Sequence, residues 1–191
     1  MSKIKYQKFS SNDDFYLIRK HIKTIYDQAT NHIRTSSRKL NILEIGPSDK
    51  IWFKGMETNW IKYNSKKIGH NYISFDVCGD VDYIGTIEKC PCFNDSEFDV
   101  ILLISVLEHV RDIFSASKEL CRITKPNGLI FIETPFLWRI HGPIPDYWRL
   151  SEYAYEYLFG ENFKIDINTF PENELGKNSY PLSYNVVLRK K

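Results

Sequence analysis

The chain has 191 residues, 42% of them apolar and 15% aromatic, with a formal net charge of +2. That length suits one domain with a substantial core, and the near-neutral balance excludes a strong overall field for nucleic acid. No apolar run approaches the roughly twenty residues that span a bilayer, and the start does not resemble a signal peptide, so a cytoplasmic protein without membrane contact is expected.

Residues 1–10 read as a loosely docked arm. Ser11-Asn12-Asp13-Asp14 has the residue types of a helix cap with acidic groups in the first turn. Phe15, Ile18, Ile22, Ile25, Ala29 and Ile33 then recur at helical spacing and predict an amphipathic helix over residues 12–34. Lysine and arginine outnumber acidic residues in this first stretch. A solvated helix face explains that, and so would a phosphate-bearing substrate.

Asn41-Ile42-Leu43-Glu44-Ile45 predicts a buried strand. Gly46 permits a sharp turn and close ligand approach, and Pro47 stops the strand. A second strand, residues 72–77, places Asp76 near its carboxyl end. A glycine turn after one strand and a carboxylate ending the next is how open α/β sheets hold a nucleoside. The dinucleotide pattern G-x-G-x-x-G fails, because Ser48 and Ile51 stand at its second and third glycine positions.

Residues 49–71 are weakly patterned but aromatic. Trp52, Phe53, Met56, Trp60, Ile61 and Tyr63 either pack a core or line a ligand. Residues 80–87 predict a third strand. Residues 98–105 carry the longest apolar run, the mark of a central parallel strand buried on both faces. A helix over 112–124, a turn at Lys125-Pro126-Asn127-Gly128 and a fifth strand over 128–134 follow. Pro143, Pro145 and Gly142 forbid a regular element over 136–150, yet the segment is rich in aromatic, basic and acidic side chains. A short helix, Glu152–Phe159, and a closing strand pair over 164–170 and 184–189 complete the chain. Alternating strands and helices predict a single α/β domain over 1–191. It divides into an arm and covering helix (1–40), a core (41–135) that the resemblance given below makes cofactor-binding, a loop and helix (136–160) that it makes the substrate segment, and the strand pair (161–191). Cys78, Cys90, Cys92 and Cys121 form no C-x-x-C pair, so reduced thiols and no metal site are expected.

Glu44-Ile45-Gly46 resembles the first motif of class I S-adenosylmethionine-dependent methyltransferases. Phe98-Asp99-Val100-Ile101, the apolar run and Leu107-Glu108-His109-Val110 resemble the fourth motif of their type 11 group. His141-Gly142-Pro143, Pro145 and Asp146-Tyr147-Trp148-Arg149 resemble a subgroup with a His-Gly-x-Pro-x-Asp-Tyr-Trp-Arg loop. The resemblance implies a Rossmann-like, mostly parallel seven-stranded sheet in the order 3-2-1-4-5-7-6, with helices on both faces. It implies S-adenosyl-L-methionine as cofactor, held by Glu44, Gly46, Pro47, Ser48, Asp76, Val77, Thr86, Ile87 and Ser105. The family usually has a second glycine where Ser48 stands, and often an acidic residue where Thr86 stands. Such proteins occur among bacterial surface-polysaccharide genes, which implies a small, sugar-nucleotide or glycan-linked acceptor.

Transfer to a hydroxyl needs a base, and His109, His141 and Asp146 are the candidates. Arg139 and Arg149 could clamp an anion, while Trp138, Tyr147 and Trp148 could stack on a ring. The alternatives are structural: Tyr147 and Trp148 packing the loop down, Asp146 and Arg149 paired as its brace, His109 making a structural bond. Two other functions stay open: a methyltransferase of RNA or protein, and a non-catalytic binding protein of the same fold. A monomer or homodimer is expected.

Overall fold

The computed structural model describes residues 12–47, 60–170, 176 and 179–191. In chain order its elements are α1 (Asn12–Thr35), β1 (Asn41–Ile45), α2 (Trp60–Asn64), β2 (Asn71–Asp76), β3 (Tyr83–Ile84), β4 (Phe98–Ile104), α3 (Ile113–Ile123), β5 (Thr124–Pro135), α4 (Glu152–Phe159), β6 (Phe163–Phe170) and β7 (Ser183–Lys190). A 3-10 turn, Leu107–His109, lies between β4 and α3. The expected arm over 1–10, and Trp52, Phe53 and Met56, lie outside the described residues.

The longest apolar run becomes the middle of the sheet. β4 has parallel neighbours on both sides, β1 and β5. Its side chains alternate between two cores because successive strand residues face opposite ways. Val100 and Leu102 pack with Ile25, Ala29 and Ile33 of α1, and Ile101 and Leu103 pack with Leu120 of α3 and Phe159 of α4. The full order is β3-β2-β1-β4-β5-β7-β6, with β7 antiparallel to both neighbours. This is the sheet order that the sequence resemblance implies, with helices on both faces.

Caps and braces explain the boundaries. The Asp112 side chain accepts from Ser115 N at 3.0 Å and opens α3. At the amino end of β4, Asp99 is buried and accepts from Arg38 Nη1 (2.5 Å), Asn41 N (2.8 Å) and Lys125 Nζ (2.7 Å). This ties β1, β4 and β5 at one edge. On the α1 face, the Asn185 side-chain amide of β7 donates to His21 O at 2.9 Å.

Two elements differ from the expectation. The third strand is only Tyr83–Ile84, because Asp82 turns back to accept from Ser74 N and Oγ, both at 2.8 Å. β5 begins at Thr124, so the expected turn lies inside the strand. There the register against β4 slips and Asn127 takes a left-handed φ of 62°. No helix among the described residues is long and apolar enough to cross a membrane.

Candidate active site

Parallel strands all point their carboxyl ends the same way, so the residues following β1, β2 and β4 share one edge of the sheet. Gly46 follows β1 with φ 68°, and its N–H donates to Phe75 O at 2.9 Å. A Cβ there would stand 2.6 Å from Val106 Cγ2, just past β4. Glycine is therefore required twice, by backbone conformation and by the neighbour. Pro47 follows, and Ser48 lies outside the described residues.

Asp76 ends β2 at the same edge, partly exposed. One carboxylate oxygen accepts from Val77 N at 2.6 Å, and the Val77 side chain is exposed. Thr86 is exposed, and Ile87 buries its side chain in the core. Glu44 is buried beneath this edge and accepts from Tyr72 Oη at 2.6 Å. Burial and the nearby Glu44 carboxylate push the Tyr72 phenol far above its ordinary range.

Where β4 ends, Ser105 takes a left-handed φ of 53°. Its N–H donates to Glu133 O at 2.9 Å and its hydroxyl to Glu133 Oε2 at 2.6 Å. Burial, with Glu108 adding to it, pushes the Glu133 carboxyl up to about 8 against the opposing bonds from Ser105.

The proline-rich segment folds over this end of β4. Tyr147 N and Trp148 N both donate to Glu108 O, at 2.7 and 3.2 Å. Trp148 Nε1 donates to Val110 O at 2.6 Å, and His109 Nδ1 lies 3.0 Å from Pro145 O. Inside the loop, Arg149 donates to both oxygens of Asp146, at 2.5 and 2.9 Å, and to the carbonyls of Trp138, Arg139 and Trp148. The Arg139 guanidinium sits 5.6 Å from the centroid of the Trp138 ring. Tyr147 is the aromatic of the loop's carboxyl half that stays exposed.

The docking brings His109 and His141 together, with ring centroids 5.2 Å apart. His141 N donates to Asp146 Oδ2 at 3.0 Å, and His141 Nδ1 lies 3.2 Å from the same oxygen. Between the two imidazoles is Glu108, completely buried, with Oε1 at 3.6 Å from His141 Nε2 and 3.8 Å from His109 Nε2. Proximity to Glu108, with help from Asp146, outweighs burial and holds the His141 imidazole above its usual range. Burial pushes the Asp146 carboxyl up, but Arg149 and His141 N outweigh it and hold it below the usual range.

The structure thus gathers Gly46, Asp76 and Ser105 along one edge, and His109, His141, Asp146 and Arg149 beside it. Sequence reasoning missed Glu108 as a site residue. Its only signal was its place next to His109, because a single turn of 3-10 helix offers no periodicity from which burial can be read. A separate hollow of about 370 Å³ lies at the opposite end of the sheet, lined by Asn41, Lys66, His70 and Glu97 among others. It is remote from all of these residues.

The sequence matches the family described as methyltransferase domain over residues 18–176. No curated protein matches it. Among solved structures, the CurJ carbon methyltransferase is similar at 18% identity and a TM-score of 0.64, covering 88% of this chain and 54% of its own. The DszA carbon methyltransferase is similar at 15% identity and a TM-score of 0.60, over 96% of this chain and 55% of its own. A SAM-dependent methyltransferase from Archaeoglobus fulgidus is similar at 14% identity and a TM-score of 0.60, over 90% and 94%. The chain therefore spans about half the length of the two carbon methyltransferases. At these identities the likeness shows a shared fold.

Proposed function

The chain belongs to the methyltransferase domain family, and on that premise we propose that it moves a methyl group from S-adenosylmethionine to a hydroxyl or amine of a small or glycan-linked acceptor. The observation that carries this reading is the shared edge: the Gly46 turn and the Asp76 carboxylate end adjacent parallel strands, beside a histidine pair at the end of β4.

The residues present fit the cofactor. The backbone at Gly46 is bare where any Cβ would collide, so a ligand can lie close to it. Asp76 spends one hydrogen bond on Val77 N and has further lone pairs for ribose hydroxyls. When bound, S-adenosylmethionine supplies a methyl carbon already activated on a sulfonium sulfur.

The rest falls to this chain's own groups. The histidine cluster holds the acceptor beside the cofactor edge and takes its proton. His141 suits that task, since neighbouring carboxylates strengthen it as a base. Arg149 and Asp146 hold the loop that carries His141, and Trp148 anchors it to Val110. Fixed placement of the acceptor contributes much of the acceleration. The motif Leu107-Glu108-His109-Val110 supports membership of the type 11 group, and the aromatic loop supports a ring-bearing acceptor such as a surface-polysaccharide precursor.

Calorimetric titration with S-adenosylhomocysteine tests the reading. We expect one site per chain, and Asp76→Ala should weaken it by about tenfold or more. A folded protein that binds none overturns it.

A further inference from the structure

The geometry points to a divalent transition-metal site formed by Glu108, His109 and His141. One ligand atom from each can be chosen so that all lie within 4.8 Å of one another. Glu108 carries the argument. It is completely buried, and neither carboxylate oxygen has a hydrogen-bond partner among the described residues. A buried carboxylate that accepts no hydrogen bond is rare, because desolvating it is costly.

The histidines do not satisfy it directly. Their Nε2 atoms stand 3.6 and 3.8 Å from Glu108 Oε1, beyond hydrogen-bond reach. That spacing is close to what a shared cation requires. Donors about 2.1 Å from a tetrahedral metal lie about 3.4 Å from one another. His109 Nε2 is itself buried without a partner among the described residues.

An outer hydrogen bond orients the His109 ring, and a nearby carboxylate faces the second nitrogen of His141. His109 Nδ1 faces Pro145 O at 3.0 Å, which places its proton there and leaves the Nε2 lone pair facing Glu108. His141 Nδ1 lies 3.2 Å from Asp146 Oδ2 without the alignment of a hydrogen bond, and Arg149 donates to that carboxylate. Metal-bound histidines usually hand their second nitrogen to a carbonyl or carboxylate in this way. Two imidazoles and one carboxylate suit zinc, cobalt, manganese or iron(II) better than magnesium or calcium. Three protein ligands leave a position open, as catalytic sites do.

The metal's role, unlike its binding, rests on the methyl-transfer reading, and with His141 as a ligand the ion takes over the activation of the acceptor that His141 would otherwise perform as a base. An acceptor hydroxyl on the open position would ionise near neutral pH. Its proton passes to solvent, and an oxygen lone pair forms the new bond to the methyl carbon. The carbon–sulfur pair returns to sulfur, leaving a neutral thioether.

Cobalt(II) titration of chelator-stripped full-length protein tests the site by its visible d–d absorption. One ion per chain is expected, with affinity lowered at least about a hundredfold in Glu108→Gln and in His141→Asn. Asp146→Asn should weaken binding about tenfold. Circular dichroism checks that each variant is folded, and His109→Asn substitutes for any that is not. Asp76→Ala should leave cobalt affinity unchanged while weakening S-adenosylhomocysteine. Absence of cobalt binding in wild type, or equal affinity in folded Glu108→Gln and His141→Asn, overturns the metal site even if S-adenosylhomocysteine binds. Cobalt binding without S-adenosylhomocysteine binding overturns the methyl-transfer reading and leaves the metal site standing.

Discussion

The two ends of β4 each carry a buried carboxyl group, treated in opposite ways. Asp99 at the amino end receives Arg38, Lys125 and the N–H of Asn41. Glu108, past the carboxyl end, is buried more completely and receives no hydrogen bond among the described residues, with the two imidazoles 3.6 and 3.8 Å away. Glu133 beside it keeps one oxygen without a partner among the described residues. The contrast separates a group that holds strands together from groups whose hydrogen-bonding capacity is not filled by the described residues. Open α/β sheets concentrate ligands at the carboxyl ends of their strands, and the satisfied end is the one free to serve stability.

Breaking the amino end should have the largest effect on folding. Asp99→Ala leaves the Asn41 N–H and the half-buried Lys125 without their carboxylate, and we expect a loss of about 3 kcal/mol in denaturant unfolding. The pH dependence has a definite sign. Burial raises the Asp99 carboxyl, but Lys125, Asn41 N and Arg38 outweigh it and hold it below its usual range. Its contribution is therefore present above the ordinary carboxylate pKa and is lost as pH falls through the lower native value. Asp99→Asn should flatten the acid limb of a stability profile.

At the other end, Gly46→Ala combines a left-handed backbone with a collision against Val106, at a cost of about 2 kcal/mol. Gly46→Ala with Val106→Ala should recover only the collision, which a double-mutant cycle separates.

Glu133→Gln is the next smaller change, on the order of 1–2 kcal/mol, and it has the opposite pH sign to Asp99. A carboxyl raised to about 8 stabilises the fold fully below its ordinary pKa and loses that contribution as pH rises through about 8. The Gln variant should lose less stability than wild type between acidic pH and pH 9. A parallel decline in both proteins would show that Glu133 is not the group responsible. The smallest effect on folding belongs to Glu108→Gln in metal-free protein: less than about 1 kcal/mol, since no hydrogen bond is removed. A loss as large as that of Asp99→Ala would erase the distinction between the two ends.

Much of this was legible beforehand. Apolar patterning located β1, β4, α1 and α3, because burial on one face or two leaves a local repeat in the chain. Gly46-Pro47 marked the turn, and Asp76 stood at the end of its strand. The short third strand and the slip in β5 were not legible. The first depends on Asp82 reaching Ser74 and the second on register against β4, which are contacts between segments.

The sequence by itself determined the order of strands and helices, the central place of residues 98–104 and the glycine turn, since each is written in neighbouring residues. Only the tertiary structure decided that the proline-rich loop docks on the 3-10 turn, bringing His141 to Glu108 and sealing that carboxyl from water. Burial and missing partners are properties of an environment assembled from distant segments, and no local pattern of residue types encodes them.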